Sequence, residues 1–171
     1  MKKYLSALVC GFGAGVLQVV PIAKSFSCCL IIPAAVVVAL ILDRKASNQP
    51  LNLIIPIKKA LLIGVFTGLY AALFGSVFDL LITFITKNND LIAALPQIQK
   101  MIGDLPFDQV LRKELSDLFN LIAGEIKSSG FSVIYAISII FNNLIMNTIF
   151  GLIGGLIGVQ FINSKISNAE K

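Results

Sequence analysis

Asp79 bears chemistry more visibly than any other residue of this chain: it is a carboxylate inside an otherwise charge-free apolar run, Ala60 to Thr86. A charge held in hydrocarbon costs several kcal/mol, so such an acid either holds a partner or handles an ion or a proton. Three amides are candidate partners. Asn142, Asn143 and Asn147 stand in the last apolar run, and Asn143 and Asn147 share a helical face at a spacing of four. A carboxylate and amides at similar depth suit a polar clasp between helices. They also suit an ion or proton site. The residue types leave both readings open.

The remaining reactive types point to less. Cys28 and Cys29 are adjacent, and a disulfide between neighbours is strained. They read as small apolar fillers, with disulfide exchange or acylation as the alternative. Lys24 beside Ser25 and Ser27 has the makings of a Ser-Lys nucleophile pair, but a lysine at a turn ordinarily anchors the end of a span. An aspartyl protease within the membrane needs two facing acids, and the apolar runs hold Asp79 alone. There is no histidine and no Gly-rich phosphate loop followed by Lys-Ser/Thr. The expectation is a protein that is not an enzyme, with no catalytic residues, no cofactor and no bound metal.

The elements that position Asp79 and the amides follow from charge and hydropathy. Between Lys127 and Lys165 there is no Asp, Glu, Lys or Arg. A soluble surface helix needs a polar face, which this run lacks, whereas roughly 20 apolar residues suffice to cross a ~30 Å hydrocarbon core. Of the 171 residues, 57% are hydrophobic and 13% charged, the latter well below the ~25% usual for soluble domains. Four spans are expected, at about 4–23, 27–42, 60–86 and 131–162, in a single membrane domain. The first could be taken for a signal peptide, but it is long for one and Lys24-Ser25-Phe26 is a poor cleavage site, so it is expected to be retained. Pro21 and Pro33 frame a tight hairpin between the first two spans. The segment Asp43 to Lys59 reads as a connection lying on the membrane face, with an apolar middle from Leu51 to Ile57.

Residues 88–130 break the pattern. Leu91, Leu95, Ile98 and Ile102 recur at helical spacing, as do Leu111, Leu115, Leu118, Ile122 and Ile126. They predict two amphipathic helices split at Gly103-Asp104-Leu105-Pro106, with Asp104 capping the second and Pro106 in its first turn. Neither is apolar enough to span, so both form an insert outside the membrane. Lys2, Lys3, Arg44, Lys45, Lys58, Lys59, Lys165 and Lys171 fall on one side, in short segments poor in acids. The positive-inside rule makes that side cytoplasmic and puts both termini there, in a multi-pass protein of the inner (cytoplasmic) membrane. The net charge of +5 is thereby a topology signal, and no nucleic-acid partner is expected.

Gly11 and Gly15, Gly64 and Gly68, Gly151 and Gly155, and Gly154 and Gly158 are all spaced by four. Such pairs let helix backbones approach closely. They suit packing within the bundle, and equally a dimer interface or a partner membrane helix.

The order of a Pro-then-Cys-Cys hairpin ("VVPIAKSFSCCLIIPAAVVVALIL"), a third helix carrying "KKALLIGVFTGLYAALFGSVFDLLITF", a polar helical insert and a glycine-rich last helix ending "GLIGGLIGVQFINSKIS" resembles the four-helix bacterial membrane proteins grouped as domain of unknown function 4199. That resemblance implies no activity, cofactor or site residue. The sequence thus predicts an all-α polytopic integral membrane protein with four transmembrane helices and an amphipathic insert between the third and fourth. Its expected role is structural, in assembly or as an accessory membrane subunit, with the bilayer and a second copy or partner helices as its contacts. The alternative is a component of a small-solute or ion channel or transporter that uses Asp79, Asn142, Asn143 and Asn147.

Overall fold

The computed structural model describes residues 4–47 and 53–169. Lys2, Lys3, Pro50, Leu51 and Lys171 lie outside these, as do the side chains of Ser27 and Cys28. Among the described residues the chain is helical, with no strand: α1 (Leu5–Leu17), α2 (Pro21–Lys24), α3 (Ile32–Ala46), α4 (Ile57–Thr86), α5 (Asp90–Asp104), α6 (Gln109–Ser129) and α7 (Val133–Ala169). A π-helical turn over Ser27–Ile31 leads into α3. Two helices, α4 and α7, are long and apolar enough to cross a membrane. Contacts divide the chain into two compact units, Met1–Phe78 with Ile140–Lys171, and Asp79–Ile139.

In the first unit, α1 stops at Leu17 and does not continue to residue 23. Pro21 is the reason: the residue before a proline is pushed out of the helical region, and Val20 is extended at φ −77°, ψ 122°. Pro33 acts differently. Its ring would collide with the carbonyl four residues back in a regular helix. The chain widens just before it into the π-turn, where the Ile31 amide reaches back five residues to the Phe26 carbonyl at 3.3 Å. At the other end α3 runs past Leu42 to Ala46, so that Asp43 and Arg44 belong to its last turn and are both buried. The core of this unit joins Ala7 of α1, Val36, Ala39 and Leu40 of α3, Ala60 and Ile63 of α4, and Val159 and Ile162 of α7.

In the second unit, two amphipathic helices form, with boundaries set by side-chain caps. Asn89 caps α5, accepting from the Ile92 amide at 3.0 Å. The cap of α6 is Asp108, accepting from the Leu111 amide at 2.7 Å. Asp104 instead closes α5, and Pro106 lies ahead of α6 and not in its first turn. Arg112 explains the offset. Its guanidinium donates to the carbonyls of Gly103 (2.7 Å) and Phe107 (3.0 Å), so the carbonyl end of α5 is closed by a cation from α6 and the turn is lengthened. Asp108→Ala is expected to destabilise the first turn of α6 by about 1 kcal/mol. Hydrogen exchange at residues 109–112 reads this directly, and Asp104→Ala leaves the same amides protected.

The apolar stripe of this unit is narrow. Ile122 and Ile126 of α6 pack with Tyr135 of α7, joined by Leu80, Leu91, Ile92 and Ile139. At the end of α6, Gly130 takes the left-handed conformation at φ 80°, which favours glycine. It also lies against α4, where a β-carbon would come within 2.5 Å of the Phe84 carbonyl oxygen.

Candidate functional site

Asp79 lies in the second unit, half-buried near the end of α4. Its carboxylate Oδ2 accepts a hydrogen bond from the Tyr135 hydroxyl at 2.8 Å. The continuity of α4 and α7 sets this pair, since each helix holds its residue at a fixed depth. Thr83, one turn beyond Asp79, is buried, and it approaches the same phenol, as does Asn89 at the start of α5. The Tyr135 phenol thus gathers Asp79 and Thr83 of α4 and Asn89 ahead of α5, beside the apolar cluster of Leu80, Ile122 and Ile126. A half-buried carboxylate that accepts a hydrogen bond recovers part of the solvation it loses on burial.

The amides lie in the first unit, and their partners are different. Asn147, 2% exposed, donates from Nδ2 to the Gln18 Oε1 at 3.1 Å. Gln18 follows the last turn of α1 and reaches across Gly75 of α4, where a β-carbon would come within 2.6 Å of that same oxygen. Asn143 donates to the Ser76 hydroxyl at 3.0 Å, again α7 to α4. Asn142 is exposed. Asn163 and Lys59 add polar contacts at and just before the start of α4. Asn163 grips the backbone of Ile55 twice: its Oδ1 accepts from the Ile55 amide at 3.0 Å and its Nδ2 donates to the Ile55 carbonyl at 3.1 Å. Lys59 pairs with the buried Asp43 at 2.6 Å.

The glycines are occupied by the chain's own helices. A β-carbon on Gly64 would run into the Gly151 carbonyl oxygen, and one on Gly68 into that of Asn147. On Gly155 it would meet the Ala60 carbonyl oxygen at 2.8 Å. These contacts press α4 and α7 together antiparallel, backbone on backbone. Gly11 and Gly15 serve α1 against α4, meeting Tyr70 Cβ at 2.6 Å and Phe74 Cβ at 2.8 Å. Gly154 and Gly158 serve α7 against α3, meeting Pro33 Cα at 2.7 Å and Leu40 Cδ1 at 2.9 Å.

Sequence reasoning singled out Asp79, Asn143 and Asn147 but missed Gln18, Ser76, Tyr135 and Asn163. A tyrosine in an apolar run suits an interface as well as a buried hydrogen bond, Gln18 sits near the end of an apolar run where polar residues are ordinary, and Asn163 follows the run expected to end at residue 162. The available signal was spacing: Tyr135, Asn143 and Asn147 recur on α7 at multiples of four and so share a stripe. Comparison with protein-family models, with characterised proteins and with solved structures gives no match.

Proposed function

We propose that the chain is a multi-pass integral protein of the inner membrane that serves as a structural or accessory subunit and carries out no chemistry of its own. The observation that supports this best is the distribution of residues about α4 and α7. Less than half of the most apolar stretch of each helix is buried. Leu73, Leu81, Ile85, Ile137 and Phe141 are exposed, while Thr67, Ser76, Asn147 and the glycines face inward. Large apolar side chains outside and small or polar ones inside is the arrangement of helices solvated by lipid. A central helix of a water-soluble protein would bury those same leucines and isoleucines.

The polar groups also favour a structural role over a conducting one. Asp79, Asn143 and Asn147 each have a side-chain partner within the chain, and two apolar cavities between α1 and α3 include none of them. Because the glycine stripes already hold this chain's helices, a partner subunit would pack on the larger exposed side chains. A second reading, an ion or proton pathway, is favoured by the single acid within α4.

Basic residues near span ends support cytoplasmic termini. The orientation is tested in a background free of Cys10, Cys28 and Cys29. An impermeant thiol reagent is expected to label Lys100→Cys in intact cells, and Ser47→Cys only after permeabilisation; the opposite pattern inverts the topology. For the role itself, purification in mild detergent with crosslinking is expected to bring down a partner membrane protein at fixed stoichiometry. A homo-oligomer with Asp79 facing its axis, whose ion flux is lost in Asp79→Asn, supports the second reading instead.

A further inference from the structure

The furrow between α1 and α3 has a chemistry that the accessory role does not use. A cavity of about 410 Å³ is lined by Cys10, Gly13, Leu17, Leu30, Ala34 and Val38. A second, of about 520 Å³, continues along the same two helices between Leu5 and Val9 on one side and Leu42 and Ala46 on the other. Val9 and Cys10 are neighbours, and Val38 and Leu42 are one turn apart, so the cavities follow one another along a single antiparallel seam. Its walls are apolar except at one end. There Ser6 and Asp43 line it, both more than nine-tenths buried, and the Ser6 hydroxyl has no hydrogen-bond partner. An unpartnered buried hydroxyl is costly, and its residue lines a space large enough for a ligand.

Three features identify the occupant. The seam from Ser6 to Leu17 covers about 17 Å at 1.5 Å per residue, close to one leaflet of a ~30 Å hydrocarbon core. Its polarity runs in one direction only, apolar along its length and polar at the end where α1 begins. The charges near that end are mostly positive: Arg44 and Lys45 share the last turn of α3 with Asp43, and Lys59 is 2.6 Å from the Asp43 carboxylate. An ammonium has three protons, so Lys59 can bond Asp43 and still donate elsewhere. We propose that this furrow seats one acyl chain of an anionic glycerophospholipid, whose phosphate or ester oxygens accept from the Ser6 hydroxyl beside the Asp43–Lys59 pair. This rests on the membrane reading above.

Gly13 provides the test. A β-carbon there meets nothing within 4 Å, so Gly13→Phe starts from an open position on the furrow wall, occupies its space and improves helix propensity. The full chain is reconstituted in nanodiscs of phosphatidylethanolamine and phosphatidylglycerol, with a phosphatidylglycerol probe carrying a diazirine in one acyl chain. Photolabelling is expected to concentrate on residues 10–17 and 30–38. Gly13→Phe is expected to lower it at least fivefold there while labelling of the exposed Leu73 and Leu81 stays constant. Ser6→Ala is expected to lower retention of phosphatidylglycerol on dilution into detergent at least threefold, and Ser6→Thr to restore it. Labelling spread evenly over the exposed helix faces, or unchanged in Gly13→Phe, overturns the proposal, as does a disulfide between two copies through Val9→Cys, which puts a second chain in the furrow. A chain that stays in the soluble fraction after alkaline carbonate washing defeats the membrane reading itself. An inserted chain with an unlabelled furrow defeats this inference alone.

Discussion

Alanine at Gly68 is expected to destabilise the protein by about 2–3 kcal/mol, and alanine at Gly13 to stabilise it by up to about 1 kcal/mol. The substitution is the same and only the surroundings differ. At Gly68 the added methyl would overlap the backbone carbonyl of Asn147 and lie 3.1 Å from Thr148 Cα. Backbone atoms cannot turn aside as a side chain can, so α4 and α7 must separate. The contacts Gly64–Gly151 and Ala60–Gly155 lie one and two turns further along and loosen with them. Overpacking of this kind costs about 1–3 kcal/mol, and the rigid neighbours put Gly68 at the upper end. At Gly13 the methyl enters open space, and only the conformational advantage of alanine in a helix remains, at most about 1 kcal/mol. Thermal unfolding in detergent followed by helical circular dichroism measures both. Equal midpoints for the two variants would contradict the close approach of α4 and α7.

Tyr135→Phe is expected to lower stability by about 1–3 kcal/mol, because it removes the hydroxyl donor from a half-buried carboxylate. Asp79→Leu alone leaves the Tyr135 hydroxyl without that acceptor and is expected to have a similar cost. The double replacement is expected to cost less than the sum of the two, since removing both members of a buried polar pair leaves neither stranded. Asp79→Asn keeps an oxygen to accept from Tyr135 and is expected to stay within about 0.5 kcal/mol of the parent. A double-mutant cycle by denaturant titration in detergent gives the coupling, and additivity would remove Tyr135 as the partner of Asp79. The Asp79→Asn chain also separates the two roles. If its fold is kept and the assembly it supports still forms, the acid is a clasp. If its fold is kept and ion flux disappears, the acid is a site.

Helix order was legible in the sequence because charge and hydropathy change together at the ends of α4 and α7, and the period of 3.6 is plain in α5 and α6. The ends of α1 and α3 were not. Pro21 stops α1 earlier than hydropathy suggests, and the Asp43–Lys59 pair lets α3 continue through a charged turn that composition alone reads as a loop. The cap of α6 was displaced from Asp104 to Asp108 by a tertiary contact, the reach of Arg112 back to Gly103, and no local rule includes it. Asp79 stood out as an acid in an apolar run. Its partner did not, because a tyrosine serves an interface and a buried hydrogen bond equally well, and only depth along two helices distinguishes them.

Helix α7 holds one member of each long-range polar contact made by Gln18, Ser76, Asp79 and Ile55: Asn147, Asn143, Tyr135 and Asn163 respectively. A ribosome makes α7 after α1 to α6. Until it emerges, the earlier helices carry a glutamine, a serine and a carboxylate without these counterparts, together with glycine grooves on α4 that have nothing to fill them. A chain made only as far as α6 therefore carries these polar groups without the partners that α7 brings. Arrival of α7 satisfies all of these groups together, so one helix closes four separate polar contacts at once.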